Sequence, residues 1–200
     1  METISNALFW ISNGLLVPVV VLLLLFLVRA LILAAAFFGE FYRRRERQQQ
    51  LTTLLEGDPT QLKPGLERLA GRRDADKDPF LKTLRQLLAH SYDAAWRERL
   101  LANYEVDAEK ELGHSRTLAK IGPMLGLMGT LIPMGPALVG LAAGDLASMA
   151  YNMQVAFATT VVGMLIAAIG VATLQVKQRW YARESNDLEF IASKLSDEKA

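Results

Sequence analysis

Polar side chains lie inside long apolar runs of this 200-residue chain, and five of them are candidates to bind an ion or a water molecule. Asn152 and Gln154 carry amides, and Thr130, Thr159 and Thr160 carry hydroxyls. These groups form hydrogen bonds but do not titrate near neutral pH. A proton needs a titratable group to cross hydrocarbon, and the apolar runs contain no Asp or Glu. If these side chains line a proton pathway, its carboxylate must therefore come from another chain.

Small residues form a stripe beside these polar groups. The run from 122 to 140 has five glycines and three prolines but no charge. Six of its residues recur every three or four positions and share a helix face about 80° wide, namely Gly122, Gly126, Gly129, Pro133, Pro136 and Gly140. A looser face follows, with Thr160 at its edge, formed by Asn152, Ala156, Thr159, Gly163 and Gly170. Small faces let helices approach closely in lipid. Two roles stay open: packing of the two helices within one chain, or lining a central passage or gripping a partner helix.

Arrangements typical of an enzyme are missing from the sequence. There is no cysteine, His90 and His114 have no second ligand at metal spacing, and no glycine-rich nucleotide loop occurs. The 22 basic residues are interleaved with 21 acidic ones, which leaves no nucleic-acid footprint. We predict that the chain is not an enzyme, holds no cofactor or metal, and does not bind nucleic acid.

Three apolar runs are long enough to cross a membrane. Each exceeds the roughly 20 apolar residues that span a hydrocarbon core, and we place transmembrane helices at 14–38, 121–143 and 149–176. Glycine and proline are tolerated in such helices. The fold class is therefore an all-α polytopic membrane protein with extended cytoplasmic helices. The remaining segments are an outer N-terminus (1–13), a cytoplasmic helical domain (39–120), an outer link (144–148) and a cytoplasmic helical tail (177–200).

The basic residues set the predicted orientation. None precedes Arg29 and none lies in the link, while all the others fall in 40–120 or 177–200. The positive-inside rule then places the N-terminus outside and the C-terminus in the cytoplasm. The run RRRER at 43–47 is expected to anchor the inner end of the first span. Two roles stay open for Arg29: its side chain extends towards the head groups of membrane lipids, or it makes a specific lipid or inter-subunit contact.

The segment between the first two spans has a helical pattern. Residues 41–57 continue the first helix into water as far as the turn signal at 57–59. The pair Asp78-Pro79 predicts a helix N-terminus, and 71–79 is the most linker-like stretch. From Asp78 we expect a helix that continues into the second span, either unbroken or with a break near Gly113.

Two motifs carry a resemblance to a known family. PMLGLMGT, from Pro123 to Thr130, resembles the P-x-x-G-L-x-G-T signature that begins the second span of the ExbB/TolQ proton-channel family, to which MotA is more distantly similar. AFATTVVGMLIAAI (156–169) is similar to the third span of that family. The order of spans and cytoplasmic segments also agrees.

The resemblance implies a motor driven by an ion-motive force in a prokaryotic inner membrane. Five copies would form a ring around two copies of a single-span partner resembling ExbD or TolR, whose aspartate carries the protons. Thr130 and Thr160 correspond to the ring threonines beside that aspartate. A family glutamate is replaced here by Val155, with Gln154 beside it, so the coupling ion, proton or Na⁺, stays open.

A second hypothesis belongs to another class of protein. The chain would then be a non-conducting oligomeric scaffold, assembled through its glycine faces, that recruits partners through its cytoplasmic helices.

Overall fold

The computed structural model describes residues 2–57, 59–72, 78–90 and 93–197, and these residues form five helices. The helices are α1 (Glu2–Leu55), α2 (Pro59–Ala70), α3 (Pro79–Ala89), α4 (Ala94–Ala142) and α5 (Leu146–Asp197). No strand occurs in these ranges. Helices α1, α4 and α5 are long and apolar enough to cross a membrane. The predicted fold class is thus confirmed.

Helix α3 begins where the sequence predicts. The Asp78 carboxylate accepts a hydrogen bond from the Phe80 amide at 3.0 Å, and Pro79 occupies the first helical position. This arrangement satisfies one of the amides that a helix N-terminus leaves unpaired. Residues 73–77 of the predicted linker lie outside the described ranges.

The prediction of one helix from residue 78 into the second span is wrong. Helix α3 ends at Ala89, and α4 starts anew because the Asp93 carboxylate accepts hydrogen bonds from the amides of Ala95 and Trp96. Such a cap fixes a helix start. No break occurs near Gly113, which lies inside α4. Helix α2 was not predicted, although the pair at 58–59 repeats the Asp-Pro signal of α3.

A tight turn joins α4 to α5. Gly144 adopts φ +76°, a conformation that glycine adopts without strain. The amides of Asp145 and Gly144 donate to the carbonyls of Gly140 and Leu141, at 2.9 and 3.1 Å, which is the Schellman pattern that ends a helix. The Asp145 carboxylate then accepts from the Ser148 amide and caps α5. The two helices are therefore joined by only three residues, 143–145.

Two compact units divide the chain. The first combines Met1–Ala36 with His114–Leu174 and contains the apolar parts of α1, α4 and α5. Its buried core includes Val19, Leu23, Leu118, Leu125 and Ile166. Three prolines, Pro123, Pro133 and Pro136, lie within the α4 portion of this unit, whereas α5 has none.

The second unit combines Phe37–Gly113 with Gln175–Ala200. Helices α2 and α3 pack against each other here, and Leu66, Phe80, Leu84, Leu188 and Ile191 are buried. The strong amphipathic spacing of α2 and α3 explains why each has one buried side.

Candidate functional site

The glycines of α4 bring its backbone against α5 within the first unit. A methyl group added to Gly122 would lie 2.8 Å from the Gly163 carbonyl oxygen, and one added to Gly163 would lie 2.7 Å from the Gly126 Cα. Real Cβ atoms essentially never come so close to another heavy atom. Gly170 meets the backbone of Ala119 in the same way. The two helices therefore approach backbone to backbone, the packing that small residues permit in membranes.

The rest of the stripe lies against the same partner helix or the turn. Pro133 is buried and Pro136 is half-buried. A methyl group on Gly140 would lie 3.2 Å from the Asp145 carbonyl oxygen and 3.3 Å from the Met149 amide nitrogen. Of the two roles left open for the stripe, packing of α4 on α5 within one chain occurs along most of the length of the stripe.

Thr159 faces α4 rather than the surface. Its side chain is 6% exposed, and a methyl group added to Gly129 would lie 2.6 Å from the Thr159 Cβ. Its hydroxyl donates to backbone oxygens one turn earlier in α5, those of Val155 and Ala156. Thr159 therefore fills the space that Gly129 leaves open.

Thr130 and Thr160 are both half-buried. The Thr130 hydroxyl donates to the Leu127 carbonyl at 2.8 Å, and the Thr160 hydroxyl donates to the Ala156 carbonyl at 3.0 Å. Each oxygen keeps lone pairs that can accept a further hydrogen bond or contact a cation. Of the three threonines, these two remain accessible for a partner.

The two amides differ in their surroundings. Asn152 is half-buried, and its side chain donates to the Ser148 carbonyl at 2.9 Å. Gln154 is exposed, and Val155 beside it is half-buried. Thr160 lies beside the helix contact, since a methyl group added to Gly126 would lie 3.6 Å from its Cα, whereas Gln154 lies on the surface of the chain.

The second unit contains a buried ionic cluster that the sequence analysis missed. We define the ionic cluster as Arg44, Arg47, Tyr104, Tyr181 and Glu184, all less than 10% exposed. Arg44 contacts both carboxylate oxygens of Glu184, at 2.7 and 2.8 Å, and Arg47 and the Tyr104 hydroxyl also donate to this carboxylate. The cluster therefore joins α1, α4 and α5 within this unit.

Further charged residues pair with members of the ionic cluster or with each other beside it. Arg47 also pairs with Asp78, Arg44 pairs with Glu40 at 3.3 Å, and Lys177 pairs with Glu40 at 3.0 Å. Every buried side-chain nitrogen and oxygen in the described part of the chain has a hydrogen-bond partner. Full satisfaction matters because an unpaired buried charge costs several kcal/mol.

Burial and neighbouring charges shift several pKa values in this unit. Burial raises the pKa of Glu40, but Arg44 and Lys177 outweigh that effect and hold it below its ordinary value. Burial, reinforced by the Glu184 charge, holds the pKa of Tyr104 well above its usual range. Burial also raises the pKa of Tyr181 to about 12, against the opposing effect of Arg44. Both tyrosines are therefore neutral hydrogen-bonding groups at physiological pH.

The raised pKa of Tyr181 predicts a loss of stability in alkali. Unfolded chains deprotonate this phenol near its ordinary pKa of 10.0, whereas the folded chain resists until about 12. Its contribution is therefore complete below pH 10 and is lost as the pH rises towards 12. We expect Tyr181→Phe to make the denaturation midpoint fall less steeply between pH 9.5 and 11.5.

The matched control for this measurement is Tyr42→Phe, which alters an exposed phenol outside the predicted spans. It should leave the slope of the midpoint against pH unchanged. Equal slopes for wild type and Tyr181→Phe would contradict the prediction.

No sequence signal identified the ionic cluster, because its members are up to 140 residues apart. The nearest hint is the spacing of Arg44 and Arg47, which puts both on one side of α1. Within the described ranges, no three His, Asp or Glu side chains come together as a metal site requires.

Comparison with known proteins assigns the chain to one family. The model of the MotA/TolQ/ExbB proton channel family matches residues 73–189, more than half of the chain. The matched stretch contains α3, α4 and most of α5, and with them Thr130, Thr159 and Thr160. A comparison with curated proteins finds no significant match.

Proposed function

Since the chain belongs to the MotA/TolQ/ExbB proton channel family, we propose that it is a ring-forming subunit of a motor driven by an ion-motive force. Five copies surround the helices of a single-span partner resembling ExbD or TolR, and protons or Na⁺ pass between them. The ion flow drives mechanical work or transport across the envelope. The ring lies in a prokaryotic inner membrane with its N-termini outside and its C-termini in the cytoplasm.

One observation supports this role above the others. The half-buried polar hydroxyls of Thr130 and Thr160 belong to α4 and α5, and the apolar runs around them contain no Asp or Glu. An ion pathway in hydrocarbon needs a charged or titratable group. A partner aspartate beside the two hydroxyls would supply it, and each hydroxyl retains lone pairs for that contact.

Val155 bears on the choice of ion. The resemblance implies that the family usually has a glutamate at this position, and the neighbouring Gln154 does not titrate near neutral pH. In the proposed ring the partner aspartate is therefore the single titratable group of the pathway within the membrane. Activity should depend on that aspartate alone, whichever ion is coupled.

The threonine hydroxyls provide the test. We expect Thr160→Val, and separately Thr130→Val, to lower ion flux through proteoliposomes by about tenfold or more, because a hydrogen bond to a charged group is worth about 1.5–3 kcal/mol. The complex is purified with the partner encoded beside it, and native mass spectrometry counts the copies. Five copies of the 22.1 kDa subunit with one or two partner chains are expected in both variants.

Thr52→Val is the matched control. Its hydroxyl also donates to a backbone carbonyl one turn earlier, that of Gln48, but Thr52 is exposed and lies outside the apolar runs. Flux should be unchanged in this variant. Full flux in both threonine variants of the apolar runs would contradict the proposed pathway.

The scaffold remains the second candidate. The close packing of α4 on α5 explains the glycine stripe without any conduction, and this observation favours it. Absence of flux from the wild-type complex, with the partner present and the oligomer intact, would select the scaffold over the motor.

A further inference from the structure

An aromatic cluster follows directly after the apolar run of α1. We define the aromatic cluster as Phe37, Phe38, Phe41, Tyr42 and Trp180. Trp180 stacks on Phe37 with 5.1 Å between ring centroids and 10° between ring planes, and it lies 5.9 Å from the Phe41 ring. Aromatic residues of this kind are enriched where a membrane meets water.

Some side chains of α1 in the aromatic cluster are exposed rather than packed against the rest of the chain. Phe38, Tyr42 and Arg45 recur at helical spacing and so form one stripe, which we call the outer stripe. Phe38 is 64% exposed and Tyr42 is 72% exposed, and Arg45 is exposed as well. Nothing in the described part of the chain covers this stripe.

Three of the four arginines in the run RRRER have different surroundings. Arg44 and Arg47 point inwards and are held by the carboxylates of the ionic cluster and its neighbours. Arg45 forms no ion pair with a described residue, and positions 41, 42, 48 and 49, one helical turn away on either side, carry no acid. Its positive charge thus has no counter-charge one helical turn away and no ion-pair partner among the described residues.

Arg179 on α5 repeats this pattern beside Trp180. It is exposed and has no ion-pair partner in the described ranges. One turn away it has Gln175, Val176, Ala182 and Arg183, none of them acidic. Two uncompensated guanidinium groups thus accompany the aromatic cluster, one on α1 and one on α5.

We propose that the outer stripe and Arg179 bind the phosphate groups of anionic phospholipids in the adjoining membrane leaflet. Arginine suits this ligand because its planar fork donates two hydrogen bonds to phosphate oxygens. The rings of Phe38 and Tyr42 contact the upper acyl chains and the glycerol region. Lipid binding here is independent of ion flow through the proposed ring.

The order of the outer stripe favours a lipid over a second protein copy. Along α1 an apolar ring, an amphipathic phenol and a cation follow one another over seven residues, about 10 Å. A leaflet presents hydrocarbon, glycerol and phosphate in the same order, over an interfacial depth of about 5–8 Å on each side of the core. Helical side chains lean towards the N-terminus, so Arg45 leans back towards the membrane. A protein surface imposes no such order.

The test compares how strongly two lipids bind to the intact complex. Dioleoyl phosphatidylglycerol, which is anionic, or dioleoyl phosphatidylcholine, which is zwitterionic, is titrated into detergent micelles, and native mass spectrometry counts the bound lipids. We expect the phosphatidylglycerol concentration at half-saturation to rise about fivefold for Arg45→Gln and about 25-fold for Arg45→Gln with Arg179→Gln. Phosphatidylcholine binding should not change.

Matched variants separate charge from location. Arg68→Gln with Lys82→Gln removes two exposed cations from α2 and α3 and should leave phosphatidylglycerol binding at the wild-type level. Arg45→Lys with Arg179→Lys should keep most of the affinity. An equal loss of phosphatidylglycerol binding in the α2 and α3 variant would overturn the proposal. Displacement of the lipid by inorganic phosphate, at the same concentration as the lipid, would also overturn it. Dissociation of the oligomer in the Arg45 and Arg179 variant, with lipid binding retained, would assign the stripe to a second copy instead.

Discussion

Replacing Glu184 by glutamine is expected to lower the free energy of unfolding by about 3–5 kcal/mol. The carboxylate is 6% exposed and accepts hydrogen bonds from two arginines and from Tyr104. Glutamine keeps the shape of the side chain but removes the negative charge. Arg44 and Arg47 would then stay buried with only Glu40 and Asp78 to compensate them. Denaturant unfolding of the full chain in detergent micelles measures the change.

Glu189→Gln is the matched control for this experiment. It makes the same substitution on α5, five residues further along, at an exposed position. A change within about 0.5 kcal/mol is expected there. If both variants unfold at the same denaturant concentration, the ionic cluster does not stabilise the second unit.

The second large effect is expected at the contact between α4 and α5. Gly163→Ala should destabilise the chain by about 1–3 kcal/mol. The added methyl group would lie 2.7 Å from the Gly122 carbonyl oxygen and from the Gly126 Cα, both of them backbone atoms. No side chain can rotate away to make room, so the two helices must separate. Thermal unfolding in micelles, followed by circular dichroism, measures the loss.

Gly39→Ala gives the opposite expectation for the same chemical change. Gly39 lies inside α1, and nothing is found within 4 Å of an added methyl group. Alanine favours a helix over glycine by about 0.5–1 kcal/mol, so this variant should be slightly more stable than wild type. Similar destabilisation by both alanines would show that helix propensity, not close packing, controls the result.

Much of the fold could be predicted from short stretches of the sequence. The apolar runs predicted the three helices that could cross a membrane, and Asp78-Pro79 predicted the start of α3, because caps and apolar length depend on neighbouring residues. The same logic applied to Asp93 would have predicted the start of α4. The break before Asp93 was missed because leucines at helical spacing on both sides resemble one continuous helix.

Contacts between distant residues could not be predicted in this way. The run RRRER suggested only an anchor at the membrane surface, yet Arg44 and Arg47 are buried because Glu184, about 140 residues further along, accepts their hydrogen bonds. Thr159 presents a similar case. Its hydroxyl suggested a role in the pathway, and only the neighbouring Gly129 shows that the side chain fills a gap between helices.

The prolines of α4 have a mechanical consequence. Proline has no amide hydrogen, so Pro133 and Pro136 leave the carbonyls of Gly129 and Ile132 without their usual partners one turn later. Bonds between successive turns give a helix its stiffness against bending. Helix α4 is therefore easier to bend within one turn of Thr130 than α5 is near Thr160, because α5 has no proline. A sideways force applied at Thr130 would be absorbed by bending in α4, while the same force at Thr160 would move the neighbouring turns of α5 together.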